Sequence, residues 1–97
     1  MKLEREFQKD LINEIKDRFP GCIVMKQDPT YKQGIPDLLV LHKNRWFALE
    51  CKKSDSEKKQ PNQQYYVDRM NEMSFARFIY PENKEEVLDE IQRSLEP

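Results

Sequence analysis

Two acidic residues and one lysine occupy positions from which they could hold a metal ion and a phosphate together. Asp37 and Glu50 flank a segment that predicts a β-hairpin, and Lys52 follows Glu50 by two residues. Side chains alternate along a strand, so Glu50 and Lys52 share one face. Closing the hairpin with a two-residue loop at 43–44 or a four-residue loop at 42–45 places Asp37 opposite Glu50. Such partners have Cβ atoms about 5 Å apart.

Two facing carboxylates among apolar residues repel each other, and their charge is costly to bury. A divalent cation removes both problems. Mg²⁺ prefers oxygen ligands and takes one or two carboxylates, which leaves positions for water and a phosphate. We expect Mn²⁺ to be able to replace it. Lys52 can hold a phosphate or lower the pKa of an attacking water.

The alternative is that Glu50 and Lys52 point outwards and pair with neighbours. Apolar residues flank both positions in the strand, which favours a central strand over an exposed edge.

The elements that position these residues follow from hydrophobic periodicity and from proline and glycine. The predicted order is αβββαβα, an α/β fold in which a mixed central sheet is flanked by helices and a C-terminal helix is added. The ranges are a helix over 3–19, strands over 22–25, 35–41 and 46–52, a helix from 61 to about 71, a strand over 75–80, and a last helix carrying Val87, Leu88, Ile91 and Leu95.

Two helices carry polar residues within their apolar faces. At 100° per residue, Glu4 falls at the centre of the first helix's apolar arc and Gln8 falls inside it, whereas Glu6 points nearly the opposite way. Glu4 is either a third carboxylate reaching the metal or a solvated residue near a fraying end. Gln63 lies within the apolar face of the second helix. It either steadies the lysine, a metal-bound water or the DNA backbone, or is an ordinary, partly exposed residue at the helix start.

The bulk properties fit one small domain over residues 1–97, with a formal net charge of −1. No apolar run approaches the roughly 20 residues that span a bilayer. We therefore expect a cytosolic protein without membrane association. The two cysteines, Cys22 and Cys51, are expected to be buried thiols, since too few partners exist to complete a zinc site.

Four motifs, in order, resemble the PD-(D/E)XK nuclease superfamily, most closely its small VRR-type (VRR-NUC) branch and the related junction-resolvase-like and phage nucleases. They are the helical Glu4 with Gln8, the Gly34-Ile35-Pro36-Asp37 segment, the Glu50-Cys51-Lys52 strand, and Pro61-Asn62-Gln63 at a helix start. The resemblance covers Glu4 to about Tyr80.

The resemblance implies metal-dependent hydrolysis of DNA phosphodiester bonds. Asp37, Glu50 and the Cys51 carbonyl would bind the metal, with Glu4 assisting, and Lys52 would be catalytic. The first helix carries two acidic residues, Glu4 and Glu6, where the family pattern has one. The geometry of the helix favours Glu4 as the residue that assists at the metal. Phosphate contacts are expected from the basic residues of the central segment and from Gln8; the basic residues are Lys32, Lys43, Arg45, Lys53, Lys58 and Lys59.

Within nucleases, we expect structure-selective cutting of junctions or flaps, or nicking, and sequence-specific cutting of the homing or restriction type is the alternative. We expect the protein in a bacterial or phage-infected cell. The small size favours a homodimer. Outside catalysis, a DNA-binding module on the same fold or a protein-interaction domain would also fit the charge pattern.

Overall fold

Seven elements follow one another in the computed structural model, which describes residues 3–95, and their order is the predicted αβββαβα. They are α1 (Glu4–Arg18), β1 (Ile23–Lys26), β2 (Leu38–His42), β3 (Arg45–Cys51), α2 (Pro61–Met73), β4 (Ala76–Ile79) and α3 (Lys84–Leu95). No helix among residues 3–95 is long and apolar enough to cross a lipid bilayer.

The four strands form one mixed sheet in the order β1-β2-β3-β4. The pairs β1/β2 and β2/β3 are antiparallel, whereas β4 runs parallel to β3 after the crossover through α2. The predicted mixed sheet is confirmed, and so is the predicted central position of β3. A strand hydrogen-bonded on both sides presents two buried faces, which is why its sequence is apolar at almost every position.

The helices cover the sheet unequally. On one face, α1 and α3 pack on the main core, which includes Leu11, Phe47 and Leu88. On the other face, α2 packs on a smaller cluster built from Ala48, Val67, Ala76 and Phe78. Because α2 lies over β3 and β4, it approaches the part of the sheet that carries Glu50.

The predicted second strand was wrong in its bounds. Residues 35–37 precede β2, because Pro36 has no N–H to donate to a strand partner. His42, predicted in the turn, belongs to β2 and pairs with Arg45, so the turn is the two-residue loop at 43–44. The other elements differ from their predicted bounds by one or two residues at an end.

The ends of the helices follow local chemistry. α1 ends before Pro20-Gly21, where Gly21 has a φ of 88°. α2 begins at Pro61, whose missing N–H costs nothing at the first helical position. Gln60 and Gln63 form a capping box there, each side chain accepting from the other's backbone N–H. This cap fixes Gln63 at the end of α2 that faces the candidate site.

Candidate active site

The β2–β3 hairpin brings Asp37 and Glu50 together. Leu38 pairs with Leu49 and Leu41 with Trp46, so extending this register by one residue places Asp37 opposite Glu50. The predicted register is thus confirmed. Asp37 lies just before β2, but its carbonyl still accepts from the Gln27 N–H at 2.8 Å and so continues the β1–β2 ladder.

The Asp37 carboxylate is held against the end of β3. Its Oδ2 accepts a hydrogen bond from the Cys51 backbone N–H at 2.8 Å, while its second oxygen accepts none from residues 3–95. Burial raises the pKa of Asp37, and the Cys51 N–H and the charge of Lys52 partly oppose that rise. One oxygen therefore fixes the carboxylate and the other is available to a ligand.

Glu50 is 4% exposed, although it carries an ionisable group. Its Oε2 accepts from Gln63 Nε2 at 3.0 Å. Burial, followed by the charge of Asp37, raises the pKa of Glu50 from the ordinary 4.5 to about 8, with Lys52 opposing and Glu4 adding to the rise. At neutral pH this carboxyl group favours its protonated form unless a cation compensates its charge.

Lys52 lies directly after β3, and its backbone N–H still donates to the Ile79 carbonyl at 2.9 Å. Its side chain is nearly as buried as Glu50, with 4% of the residue exposed. The Lys52 Nζ donates to Gln63 Oε1 at 2.8 Å, and the same oxygen accepts from the Gln60 N–H at 3.0 Å. Gln63 therefore links the lysine to Glu50 through one amide group.

Glu4 lies in the first turn of α1 and is partly buried, whereas Glu6 is exposed. Burial raises the pKa of Glu4 most, followed by the charges of Glu57 and Asp37. The structure thus brings Glu4 close to the Asp37–Glu50 pair, as the helix geometry predicted, and leaves Glu6 facing away.

Glu57 is a member of the site that the sequence analysis missed. Its Oε1 accepts from the Lys53 N–H at 2.7 Å, and its Oε2 lies 3.7 Å from Lys52 Nζ. It also forms a side-chain hydrogen bond with Glu4 that raises the pKa of Glu4. Residues 53–60 have no hydrophobic periodicity, so no signal in the sequence distinguishes Glu57 from neighbouring polar residues.

Gln8 and Cys51 meet on the α1 side of the sheet. The Gln8 side chain hydrogen-bonds the Cys51 thiol, whose pKa is raised by burial and by the charge of Asp37. Gln8, predicted to contact DNA, is thus turned at least partly towards the protein. The Cys51 carbonyl lies between Glu50 and Lys52 in the chain, and its role as a metal ligand stays a prediction.

The basic residues predicted to contact DNA lie in different places. Lys43 and Arg45 flank the β2–β3 turn, at the opposite end of β3 from Glu50. Five residues of strand separate Arg45 from Glu50, roughly 17 Å. Lys32 lies nearer the site, in the loop before Asp37, with its Nζ 5.9 Å from the centre of the Tyr66 ring in α2.

Lys53, Lys58 and Lys59 belong to the segment between β3 and α2 and are exposed. Lys59 Nζ lies 4.8 Å from the centre of the Phe78 ring. Their proximity to Lys52 in the chain is compatible with phosphate contacts, which stay a prediction.

The donor set suits a divalent cation that prefers oxygen. The charge of Asp37 raises the pKa of both Glu50 and Glu4, the charge of Glu4 adds to the rise at Glu50, and Lys52 is the cation that opposes the raised pKa of all three carboxyl groups. Among residues 3–95, no three His, Cys, Asp or Glu side chains converge closely enough to form a metal cage on their own. Mg²⁺ fits such a site, because it commonly keeps several waters and takes only one or two carboxylates from the protein.

Comparison with known proteins supports the fold. No protein-family model matches the chain, and no curated protein matches it. A solved structure described as "VRR_NUC domain protein" superposes with a TM-score of 0.67 and 18% sequence identity, covering 98% of this chain and 90% of that one. The chain therefore has a VRR-NUC-like fold, as its motifs predicted.

Proposed function

We propose that this protein is a Mg²⁺-dependent endonuclease that hydrolyses DNA phosphodiester bonds and selects its substrate by DNA structure. The observation that carries the proposal is the buried group in which Asp37 faces Glu50 while Gln63 joins Glu50 to Lys52. A purely structural sheet gains nothing from burying two facing carboxylates beside a lysine. The fold shared with a VRR_NUC domain protein supports the same function.

The cation would be held by Asp37 and Glu50, with the Cys51 carbonyl and Glu4 as further ligands. When bound, Mg²⁺ supplies charge neutralisation at the scissile phosphate and an activated water for in-line attack. Mn²⁺ would supply the same chemistry.

The chain's own residues position the reacting groups. Lys52 is anchored by Gln63 Oε1, so its ammonium is directed towards the phosphate oxygens or the attacking water, where it stabilises the developing negative charge. Attack forms a new P–O bond to the water oxygen and breaks the P–O bond to the leaving strand. The proton of the attacking water passes to solvent and the leaving oxygen takes one up from solvent, while Glu4 would assist in holding the cation.

The test is cleavage of supercoiled plasmid and of branched, nicked and linear DNA with Mg²⁺, with Mn²⁺ and with a chelator. We expect metal-dependent cleavage that Glu50→Ala and Lys52→Ala each reduce roughly 100-fold or more. Lys16→Ala is the control and should cleave normally, because Lys16 is exposed in the last turn of α1, at the opposite end of that helix from Glu4. Full activity in either site variant, or no cleavage of any substrate by the wild type, contradicts the proposal.

The same substrate panel separates the alternatives. Cleavage confined to one sequence in linear duplex would indicate a homing or restriction type of enzyme. Tight DNA binding without cleavage in either metal would indicate a non-catalytic DNA-binding module on this fold.

We further propose that the protein acts as a homodimer in the cytosol. Support for the dimer comes from the face of the sheet that α2 leaves open at β1 and β2. Ile23, Met25 and Leu41 lie there, 58%, 39% and 36% exposed respectively, and Ile23 pairs directly with Leu41. We call these three residues the open apolar patch. A contiguous apolar surface of this kind typically marks a contact with another molecule.

A further inference from the structure

Two shallow depressions of the surface share Lys26 as a lining residue. The first, of about 410 Å³, lies between α1 and the end of β1 and is lined by Arg5 and Lys9 as well as Lys26. The second, of about 470 Å³, follows the loop after β1 and is lined by Lys26, Tyr31 and Lys32. We call this surface the basic groove.

The charges of the basic groove are available to a ligand. Arg5, Lys9, Lys26 and Lys32 are all exposed. None of them forms an ion pair with another of residues 3–95. Long cationic side chains that are not neutralised by a carboxylate, gathered along a concave surface, attract a polyanion.

Two acidic residues also line the groove, Glu6 in its first part and Asp28 in its second. Asp28 is already engaged, since its Oδ1 accepts from the Thr30 N–H at 2.9 Å and the Thr30 hydroxyl at 2.6 Å. The cations therefore outnumber the acidic residues along the groove.

The basic groove and the candidate site are carried by adjoining residues of the chain. Arg5 directly follows Glu4, and Lys26 directly precedes Gln27, whose N–H donates to the Asp37 carbonyl at 2.8 Å. Ile35, which also lines the second depression, lies two residues before Asp37. From Arg5 to Asn13 the helix advances roughly 12 Å.

Tyr31 adds an aromatic surface to the cations. It is 86% exposed, so its ring contributes little to the core. The turn that carries it is held in place, because the Tyr31 N–H donates to the Asp28 carbonyl at 3.2 Å. Cations that follow a backbone, together with an exposed aromatic ring, form the combination that binds unpaired nucleic acid by phosphate contact and base stacking.

We propose that the basic groove binds an unpaired strand of the nucleic acid, with Arg5, Lys9, Lys26 and Lys32 on its phosphates and Tyr31 stacked on a base. The inference rests on the proposed nuclease function and adds to it a substrate class, DNA that carries a single-stranded arm next to a duplex. The groove is distinct from the hairpin cations Lys43 and Arg45, to which the sequence analysis assigned phosphate contacts.

Fluorescence anisotropy measures how tightly the protein binds two labelled DNAs, a fork with one single-stranded arm and a blunt duplex of the same length. Ca²⁺ replaces Mg²⁺ in these binding measurements. The double variant Arg5→Ala/Lys9→Ala should bind the fork about tenfold or more weakly. It should also reduce the slope of log K against log salt by about 1.4, roughly 0.7 for each lost contact to an unpaired strand. The matched control, Lys16→Ala/Arg93→Ala, removes two exposed charges in the last turns of α1 and α3 and should stay within about twofold of wild type.

Tyr31→Ala should weaken fork binding about fivefold or more, as expected for one stacked base, and should leave blunt-duplex binding unchanged. Tyr31→Phe keeps the ring and should bind the fork like wild type. Thermal unfolding verifies that each variant is folded.

Equal fork binding by wild type and Arg5→Ala/Lys9→Ala overturns the inference, and so does an equal loss of fork binding in Lys16→Ala/Arg93→Ala. Cleavage by wild type in Mg²⁺, measured on the same fork, tests the proposed function separately. If the groove variants lose fork binding but wild type does not cleave DNA, strand binding by the basic groove is supported and the nuclease function is contradicted. If wild type cleaves DNA and the groove variants bind the fork normally, the nuclease function is supported and strand binding by the basic groove is contradicted.

Discussion

At the scale of single residues, the site depends on one amide group. Gln63 Oε1 accepts from both Lys52 Nζ and the Gln60 N–H, while Gln63 Nε2 donates to Glu50 Oε2. Turning the amide over would place its NH₂ against the ammonium and its oxygen against the carboxylate. The orientation is therefore determined by its neighbours, and it holds the lysine and the glutamate in a fixed relation.

Replacing Gln63 by Ala should reduce DNA cleavage roughly 10- to 100-fold, the usual loss when a group that orients a metal ligand is removed. It should also cost about 1 kcal/mol of stability, because the capping box is lost. Gln64→Ala is the matched control, since Gln64 is exposed and its side chain hydrogen-bonds only Asp68 within residues 3–95. Cleavage rates, together with urea unfolding, distinguish the two effects. Unchanged cleavage in Gln63→Ala contradicts the positioning role.

The raised pKa of Glu50 predicts a pH-dependent stability. Between pH 4.5 and about 8 the folded chain keeps a proton on Glu50 that the unfolded chain has released. The contribution of Glu50 to the free energy of unfolding is therefore fully present below pH 4.5, and it declines as the pH rises towards 8. Glu50→Gln cannot titrate, so its advantage over wild type should grow with pH.

Urea unfolding without divalent metal, at pH 5 and at pH 8, measures this difference. With a pKa of 4.5 in the unfolded chain and about 8 in the folded one, the range from pH 5 to pH 8 covers about 2.5 tenfold steps of about 1.4 kcal/mol each, so we expect Glu50→Gln to gain about 3 kcal/mol relative to wild type. Adding Mg²⁺ at pH 8 should stabilise wild type more than the variant. If the difference in unfolding free energy between Glu50→Gln and wild type does not vary with pH, the pKa of Glu50 is not raised.

At the scale of elements, the hairpin was predictable because a short turn and side-chain alternation permit few registers. Both loop lengths considered for the β2–β3 turn give the same pairing of Asp37 with Glu50, so the site survived an error in the bounds of β2. Gln63 was predictable for a similar reason, since one polar residue interrupts the apolar face of α2.

Contacts between a loop and a helix were not predictable in this way. Glu57 lies in a segment without periodicity, and its approach to Lys52 depends on how residues 53–60 fold back. The close approach of Gly34 to α2 is a second contact of this kind. Its φ is +90°, and a Cβ placed on it would lie 2.8 Å from Asn62 Cβ in the first turn of α2. Tertiary packing determines both contacts, so sequence pattern alone does not contain them.

Gly34→Ala should therefore destabilise the protein by about 1–3 kcal/mol, through backbone strain and overlap with α2. It should also reduce cleavage, because the loop carrying Asp37 would move relative to α2. Gly21→Ala is a close control, since Gly21 has a φ of +88° but nothing lies within 4 Å of a Cβ there. It should show the strain cost alone, with normal cleavage. Equal unfolding free energies and activities for the two variants would refute the steric argument.

At the scale of the whole molecule, the two faces of the sheet are covered to different extents. α1 and α3 bury one face, whereas α2 lies over β3 and β4 and leaves the open apolar patch of Ile23, Met25 and Leu41 in solvent. β1 is also an edge strand with one unpaired side. Edge strands and apolar patches are usually protected from non-specific association, and pairing with a second copy would protect both.

Ile23→Glu should convert the proposed dimer to a monomer, because two symmetry-related copies would each place a charge in an apolar contact. Tyr65→Glu is the control, since Tyr65 is exposed to nearly the same extent as Ile23, at 57%, but is carried by α2 and not by β1 or β2. Sedimentation velocity should find wild type and Tyr65→Glu at twice the mass of Ile23→Glu. A monomeric wild type, or a dimeric Ile23→Glu, would show that the open apolar patch does not join two copies.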